Sequence, residues 1–170
     1  LLRNGLRIRS SRDGTADLPA VELPRRDGVT SELRFVSPLP GMRVVEEDAS
    51  ETLTHFYSSG KHGPRWENVP SFRKVCYEQV WEHVNVEYVV VGNSVRQRIV
   101  LLPGARASDV RLACDPGLMA LLKRDTRSDG FGEATADDRN WTSSGGVLSI
   151  KAEPGSLRDT AVLETEFQTW

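Results

Sequence analysis

The chain has few cysteines, few aromatic residues and almost no net charge. Only two of its 170 residues are cysteine, Cys76 and Cys114, which is too few for a disulfide scaffold or a zinc knuckle. Aromatic residues make up 7% of the chain, and 22 basic against 24 acidic residues leave a formal net charge of −2. Because there is no basic excess, we expect no nucleic acid partner.

Long apolar runs are also lacking. The longest lie at 88–91, 99–102 and 118–122, far short of the roughly 20 residues that span a bilayer, so no transmembrane segment is predicted. The chain opens Leu1-Leu2-Arg3-Asn4, without an initiator methionine or a signal-peptide pattern, which predicts a mature chain or a piece of a longer one. A hydrophobic content of 38% indicates a globular domain with a buried core.

The chain does have turn-forming residues at regular intervals. From residue 31, short apolar segments alternate with turn-forming Gly, Pro, Asn and Asp. Spacing of about ten residues is typical of all-β folds, and we predict an antiparallel β-sandwich of roughly 9–11 strands with at most one short helix. Residues 1–30 are rich in Arg, Gly, Asp and Pro and predict an N-terminal arm or linker ahead of a single domain over 31–170.

The clearest single element is a hairpin around Gly92-Asn93. Apolar residues alternate with polar ones on both sides, and the two-residue Gly-Asn loop accepts the positive φ angles that tight hairpins require. Pro103-Gly104 then ends the second strand. Met42 to Glu46 and Thr52 to Tyr57 are predicted as two separate strands.

The segment after this hairpin is less regular. We predict a helix at 116–124, where Leu118, Met119, Leu121 and Leu122 form an apolar face, although a buried strand fits the same run. The polar stretch from Asp125 to Gly146 predicts a surface loop.

Four segments resemble a known family. They are Val75-Cys76-Tyr77-Glu78-Gln79-Val80-Trp81, Val84-Asn85-Val86-Glu87-Tyr88, the strand Gln97 to Leu102 with its Pro103-Gly104-Ala105 ending, and Ser108-Asp109-Val110-Arg111-Leu112. The chain is similar to the β-rich domain of uncharacterised function found in large secreted bacterial proteins, commonly ahead of SBBP (β-propeller-type) repeats. The resemblance extends over residues 31–168.

The resemblance implies a secreted or cell-surface, non-catalytic module with no defined ligand. Two positions depart from the family pattern: Asn85 stands where an aspartate is usual, and Gln97-Arg98 replaces a Tyr-Asp pair. If that aspartate pair organises a turn or a cation in relatives, we expect this chain to have lost it.

Residues that carry metal or catalytic chemistry form no convincing pattern. Asp125, Asp129, Glu133 and Asp137 are candidate calcium ligands, but Arg127 and Ala136 occupy positions where a helical calcium loop needs oxygen donors, so the spacing favours a solvated acidic loop over a calcium site. The three histidines stand alone in the sequence, and no nucleophile elbow is present. We therefore predict no cofactor and no enzymatic activity.

Two further features leave alternatives open. Trp66 and Trp141 are candidate stacking platforms for sugars, which makes a glycan-binding module, calcium-assisted or not, the alternative function. Cys76 and Cys114 form a disulfide if their strands are neighbours, and otherwise remain two buried thiols.

The leading expectation is a structural or protein-interaction module whose partners are other copies of itself or other extracellular domains. Within the N-terminal arm, Leu6 and Ile8 alternate with arginines like a strand. Such an arm adds to the sheet edge of a neighbouring subunit, as in a strand-exchange filament, or pairs within its own domain.

Overall fold

The computed structural model describes residues 7–9, 20–24, 30–57, 65–130, 141–151 and 155–168. Within them the chain forms two six-stranded antiparallel sheets and one short α-helix. The predicted all-β sandwich with one helix is therefore confirmed, with twelve strands in the described residues.

The elements are β1 (Arg7–Arg9), β2 (Ala20–Pro24), β3 (Thr30–Phe35), β4 (Arg43–Tyr57), β5 (Arg65–Trp81), β6 (Val84–Val91), β7 (Ser94–Leu101), a 3-10 turn (Ala107–Asp109), β8 (Arg111–Cys114), α1 (Pro116–Asp125), β9 (Arg127–Asp129), β10 (Trp141–Ser144), β11 (Val147–Ile150) and β12 (Ala161–Gln168). One sheet has the order β1-β2-β3-β8-β11-β10, and the other has the order β4-β5-β6-β7-β12-β9. No described helix is long and apolar enough to cross a membrane.

Side-chain alternation sets the buried face of each sheet. In β6, Val84, Val86 and Tyr88 are fully buried, whereas the residues between them are partly exposed. This is the period of two that a strand imposes, and it turns every second residue toward the opposite sheet. The core so formed takes residues from both sheets and from α1, which contributes Leu118 and Leu122.

An aromatic cluster joins the two sheets. The ring of Phe35, at the end of β3, lies edge-on to Tyr77 and to Trp81 of β5, with centroid separations of 5.2 and 5.6 Å. Tyr77 in turn meets Tyr88 of β6 edge-on at 6.2 Å. Edge-to-face aromatic pairs add to the free energy of apolar burial, so this cluster is a main cross-sheet contact.

The predicted hairpin and helix are both confirmed. β6 and β7 pair in register from Val84 with Leu101 to Val91 with Ser94, which leaves Gly92-Asn93 as the loop. Helix α1 is capped by Asp115, whose Oδ1 accepts hydrogen bonds from the backbone N–H groups of Gly117 and Leu118.

The predicted surface loop over 125–146 is wrong at both of its ends. β9 adds to β12, and β10 adds to β11 with Trp141 opposite Ile150. These strands have three and four residues, too short for a periodic pattern to show in the sequence.

The turn at Pro103-Gly104 is hydrogen-bonded to a segment distant in sequence, at Leu157. The Gly104 N–H donates to the Leu157 carbonyl oxygen at 2.9 Å, and the Leu157 N–H donates to the Ala105 carbonyl oxygen at 2.8 Å. Gly104 has φ +95°, and a Cβ there would lie 3.2 Å from the His83 ring. Both the dihedral and the close approach explain why glycine occupies this position.

Asn85 and Gln97 both make specific contacts. Asn85 Oδ1 accepts a 2.8 Å hydrogen bond from the backbone N–H of Gln79, a residue with φ +53° in an irregular part of β5. Gln97 is buried and donates through Nε2 to the Tyr88 hydroxyl at 2.6 Å. The expected loss of a turn-organising or cation-binding aspartate pair at these positions stays a prediction.

Candidate interaction surface

The longest exposed edge in the fold belongs to β4. This strand has 15 residues and is the terminal strand of its sheet, with β5 on one side. In the described part of the chain no strand pairs with its other side. A terminal strand of this kind can pair with a further strand through the backbone groups of that side.

β4 and β5 continue beyond the six-stranded sheet as a two-stranded ribbon. β6 pairs with β5 from Lys74 to Trp81, whereas β4 pairs with β5 as far as Tyr57 opposite Arg65. The part of β5 before Lys74 thus has β4 as its sheet partner among the described residues. At about 3.3 Å per residue, this ribbon extends roughly 25 Å.

Bulges divide β4 into a regular and an irregular part. The register shifts between Ala49, opposite Phe72, and Leu53, opposite Pro70, and Asp48 just before it has φ +55°. Bulges bend a strand and interrupt its hydrogen-bonding pattern. The segment 43–47 is therefore the regular part of the edge, and we call it the β4 edge.

The β4 edge alternates between the two faces of its sheet. Val44 and Glu46 lie opposite Tyr77 and Val75, whose side chains are buried in the core. The side chains of residues 43, 45 and 47 belong to the outer face. Val44 is 36% exposed, and beyond the edge Leu53 is 50% exposed.

Charges of alternating sign cross the outer face of this sheet. The series, which we call the charge ladder, takes one residue from each strand: Arg127 of β9, Glu164 of β12, Arg98 of β7, Glu87 of β6, Lys74 of β5 and Glu47 of β4. Opposite charges on neighbouring strands attract, so the ladder stabilises this order of strands.

From Glu164 to Glu47, the distances within the charge ladder are those of direct ion pairs. Lys74 Nζ lies 3.0 Å from Glu47 and 3.6 Å from Glu87, while Arg98 lies 2.9 Å from Glu87 and 3.5 Å from Glu164. The hydrogen bond to Glu47 raises the pKa of the Lys74 ammonium above its usual value, so this group stays charged. The last residue of the charge ladder, at the β4 edge, is the carboxylate of Glu47.

A second ion pair marks the start of the β4 edge. Arg43 donates through Nη2 to Glu78 Oε2 of β5 at 2.6 Å, with the Arg43 side chain 76% exposed. The β4 edge therefore carries a cation at its first residue and a carboxylate at its last, both on the outer face, with Val45 between them.

The candidate calcium ligands are not brought together in the described residues. Asp125 is paired with Arg124 at 2.7 Å, which lowers the pKa of its carboxyl group, and Asp129 lies in β9. Glu133 and Asp137 lie outside the described residues. Among the described residues, no group of three or more His, Cys, Asp and Glu is arranged to hold a metal ion.

The two candidate glycan platforms, Trp141 and Trp66, lie in different parts of the fold. Trp141 is 4% exposed and belongs to the core, so its face is covered by protein. Trp66 lies in the ribbon part of β5, opposite Phe56.

The two cysteines are free. Cys76 is buried on β5, and Cys114 is half-buried at the end of β8, in the other sheet. Burial raises the pKa of each thiol to about 11.

The N-terminal arm is paired within its own chain. Ile8 of β1 lies opposite Val21 of β2, and β2 pairs with β3. Leu6 lies outside the described residues.

Sequence reasoning did not single out the β4 edge. Its five residues, Arg-Val-Val-Glu-Glu, contain neither a ligand motif nor a clean alternation. The available signal was a basic residue at the start of the segment and acidic residues at its end, with two valines between them. This pattern indicates an interaction surface only if β4 is known to be an edge strand.

Together these features define an all-β sandwich with a charged, open sheet edge. Residues 8–121 match the model of a domain family of unknown function, DUF7948, and the chain therefore belongs to that family. The match runs from β1 into α1, and the remaining residues supply β9 to β12, which complete both sheets. No curated protein and no solved structure matches the chain.

Proposed function

We propose that this domain is a non-catalytic, extracellular or cell-surface β module with a structural or protein-interaction role, and that the β4 edge is its contact surface. The observation that carries the proposal is the position of β4. It is a long terminal strand with an open side in the described part of the chain, and it exposes Val44 and Leu53. Addition of a strand to such an edge is a common mode of protein recognition.

Other features support the same role. The outer face of the sheet is ion-paired along the charge ladder from Glu164 to Glu47, and these pairs help to fix the geometry of the edge. Because β1 is already paired with β2, we place the contact at β4 and not at the N-terminal arm.

The extracellular setting is part of the proposal. It is supported by the resemblance of the Pro103 to Leu112 segment to a domain of secreted bacterial proteins that precedes SBBP repeats. The same segment lies within the residues matched by the family model.

A photo-crosslinking experiment tests the contact surface. A benzophenone side chain is placed at Val44 of the natural protein, with Leu102 as a matched control because it has the same 36% exposure and directly follows β7. We expect a discrete crosslinked product from position 44 and none from position 102. Equal products from both positions, or none from position 44, would contradict the proposal.

The location has its own test. Labelling intact cells with a membrane-impermeant amine reagent should modify Lys123, whose ammonium lies at the surface, when the cells are unbroken. Labelling that appears after lysis alone would show that the domain is not outside the cell.

A further inference from the structure

The β4 edge is self-complementary. If a second copy is laid antiparallel beside it with Val45 facing Val45, residue 43 of each copy lies opposite residue 47 of the other. Arg43 then faces Glu47 at both ends of the contact, and the two valines meet in the middle. These three positions share the outer face, so each arginine is on the same side of the joined sheet as the carboxylate opposite.

The charge ladder continues through such a contact. Within one copy it ends at Lys74 and then Glu47, 3.0 Å apart. The next strand would place Arg43 of the second copy beside Glu47, and that arginine already pairs with Glu78 of its own β5 at 2.6 Å. The alternation of sign is thus preserved from strand to strand across the joint.

Symmetry and direction agree with the fold. Each neighbouring pair of strands in both sheets is antiparallel, and an antiparallel pairing of one edge with itself has a two-fold axis, the commonest symmetry of protein dimers. The same axis places Leu39, just before β4 in one copy, near Leu53 of β4 in the other copy. Both leucines are exposed, at 40% and 50%.

We propose that the β4 edges of two copies pair antiparallel about Val45, so that two sandwiches share one continuous sheet of twelve described strands. This inference rests on the proposed function, because it names the partner of the same edge. Charges on an edge strand usually prevent pairing with another chain. Here their order favours one register, since a shift by two residues would bring Arg43 opposite Val45 and lose both ion pairs.

Charge reversal tests the register. Arg43→Glu alone places two carboxylates opposite each other at both ends of the contact, and Glu47→Arg alone does the same with two cations. Each variant should dimerise at least about tenfold more weakly in sedimentation velocity from micromolar to millimolar concentration, since opposed pairs become repulsive. An equimolar mixture of the two variants should restore the dimer, because every arginine then meets a carboxylate.

A matched control separates this effect from net charge. Glu82→Arg, in the β5–β6 turn with a side chain 76% exposed, makes the same charge change as Glu47→Arg and should leave the dimer unchanged within twofold. Circular dichroism of each variant checks that it is folded. A wild-type chain that is monomeric throughout, or a mixture that dimerises no better than either variant alone, would overturn the inference.

Disulfide trapping provides an independent readout. In a background of Cys76→Ala and Cys114→Ala, Val45→Cys should crosslink rapidly on oxidation, because directly opposed strand residues have Cα atoms about 4.5–5.5 Å apart. Leu102→Cys, at a position 36% exposed and away from the β4 edge, should not. Absence of the Val45 crosslink would overturn self-pairing, whereas the proposed function fails separately if photo-crosslinking at Val44 in the natural protein yields nothing.

Discussion

The indole Nε1 of Trp81 donates a hydrogen bond of 3.0 Å to the backbone carbonyl oxygen of Val36. Trp81 is the last residue of β5, and Val36 directly follows β3 in the opposite sheet. The bond therefore joins the two sheets at the end where both strands leave the sandwich. Trp81 is also buried against Phe35, so one side chain contributes both apolar and polar contacts.

Replacing this indole should weaken the sandwich. Trp81→Phe removes the hydrogen bond to Val36 and part of the buried ring, and we expect the free energy of unfolding to fall by about 2–4 kcal/mol. Urea denaturation followed by circular dichroism measures this change. Leu102→Ala, at a position 36% exposed, should cost less than about 1 kcal/mol. Equal costs would show that the Trp81 contact contributes little.

A second prediction concerns Gly104. Gly104→Ala introduces a Cβ at φ +95° and 3.2 Å from the His83 ring, and it strains the turn that bonds to Leu157. We expect a loss of about 1–3 kcal/mol in the free energy of unfolding. Gly41→Ala is the matched control, since a Cβ there meets nothing within 4 Å. If both variants unfold at the same urea concentration, the Gly104 geometry is not a constraint.

Two neighbouring tyrosines make a sharper comparison. The Tyr88 hydroxyl accepts the 2.6 Å hydrogen bond from Gln97, whereas the buried Tyr77 hydroxyl has no hydrogen-bond partner in the described part of the chain. Tyr88→Phe leaves the buried Gln97 amide without this acceptor and should cost about 1–3 kcal/mol of unfolding free energy. Tyr77→Phe removes an unsatisfied group and should be neutral or stabilising.

The two variants delete the same atom from adjacent strands, so each is the control of the other. Thermal or urea unfolding of both under identical conditions gives the difference directly. A Tyr77 variant that is as unstable as the Tyr88 variant would mean that the Tyr77 hydroxyl is hydrogen-bonded in solution.

The parts of the fold that sequence predicted were those with local signals. The Gly92-Asn93 hairpin has alternation on both sides and a loop that fits its turn, and α1 has four apolar residues at helical spacing. In both cases the residues that determine the structure are close together in the chain, so the local sequence alone specifies them.

The β4 strand shows where local signals fail. Sequence predicted two strands, at 42–46 and 52–57, whereas the structure has one strand over 43–57 with bulges. Glu46, Glu47 and Asp48 interrupt the apolar alternation, and the strand is continuous because β5 pairs along its length. The charge ladder was equally hidden, since its members are consecutive in space but lie on six strands.

The pH dependence of stability follows from the two thiols. Burial raises the pKa of Cys76 and of Cys114 to about 11, from an ordinary value of about 9 in the unfolded chain. Between these pH values the unfolded chain releases protons that the folded chain retains. The free energy of unfolding contributed by the cysteines is therefore fully present below pH 9 and falls as pH rises toward 11, by at most about 1.4 kcal/mol per pH unit for each thiol.

Urea unfolding at a series of pH values from 7 to 11 measures this slope. Lysines and tyrosines also titrate near the upper limit, so the comparison is with the double variant Cys76→Ala and Cys114→Ala. Its free energy of unfolding should decline less steeply between pH 9 and 11, while the two proteins should run parallel below pH 8. Because the native thiols hold their protons, they should also react slowly with a thiol reagent at pH 8 and rapidly in urea. Identical slopes for the two proteins would mean that the thiols ionise equally in the folded and unfolded chain.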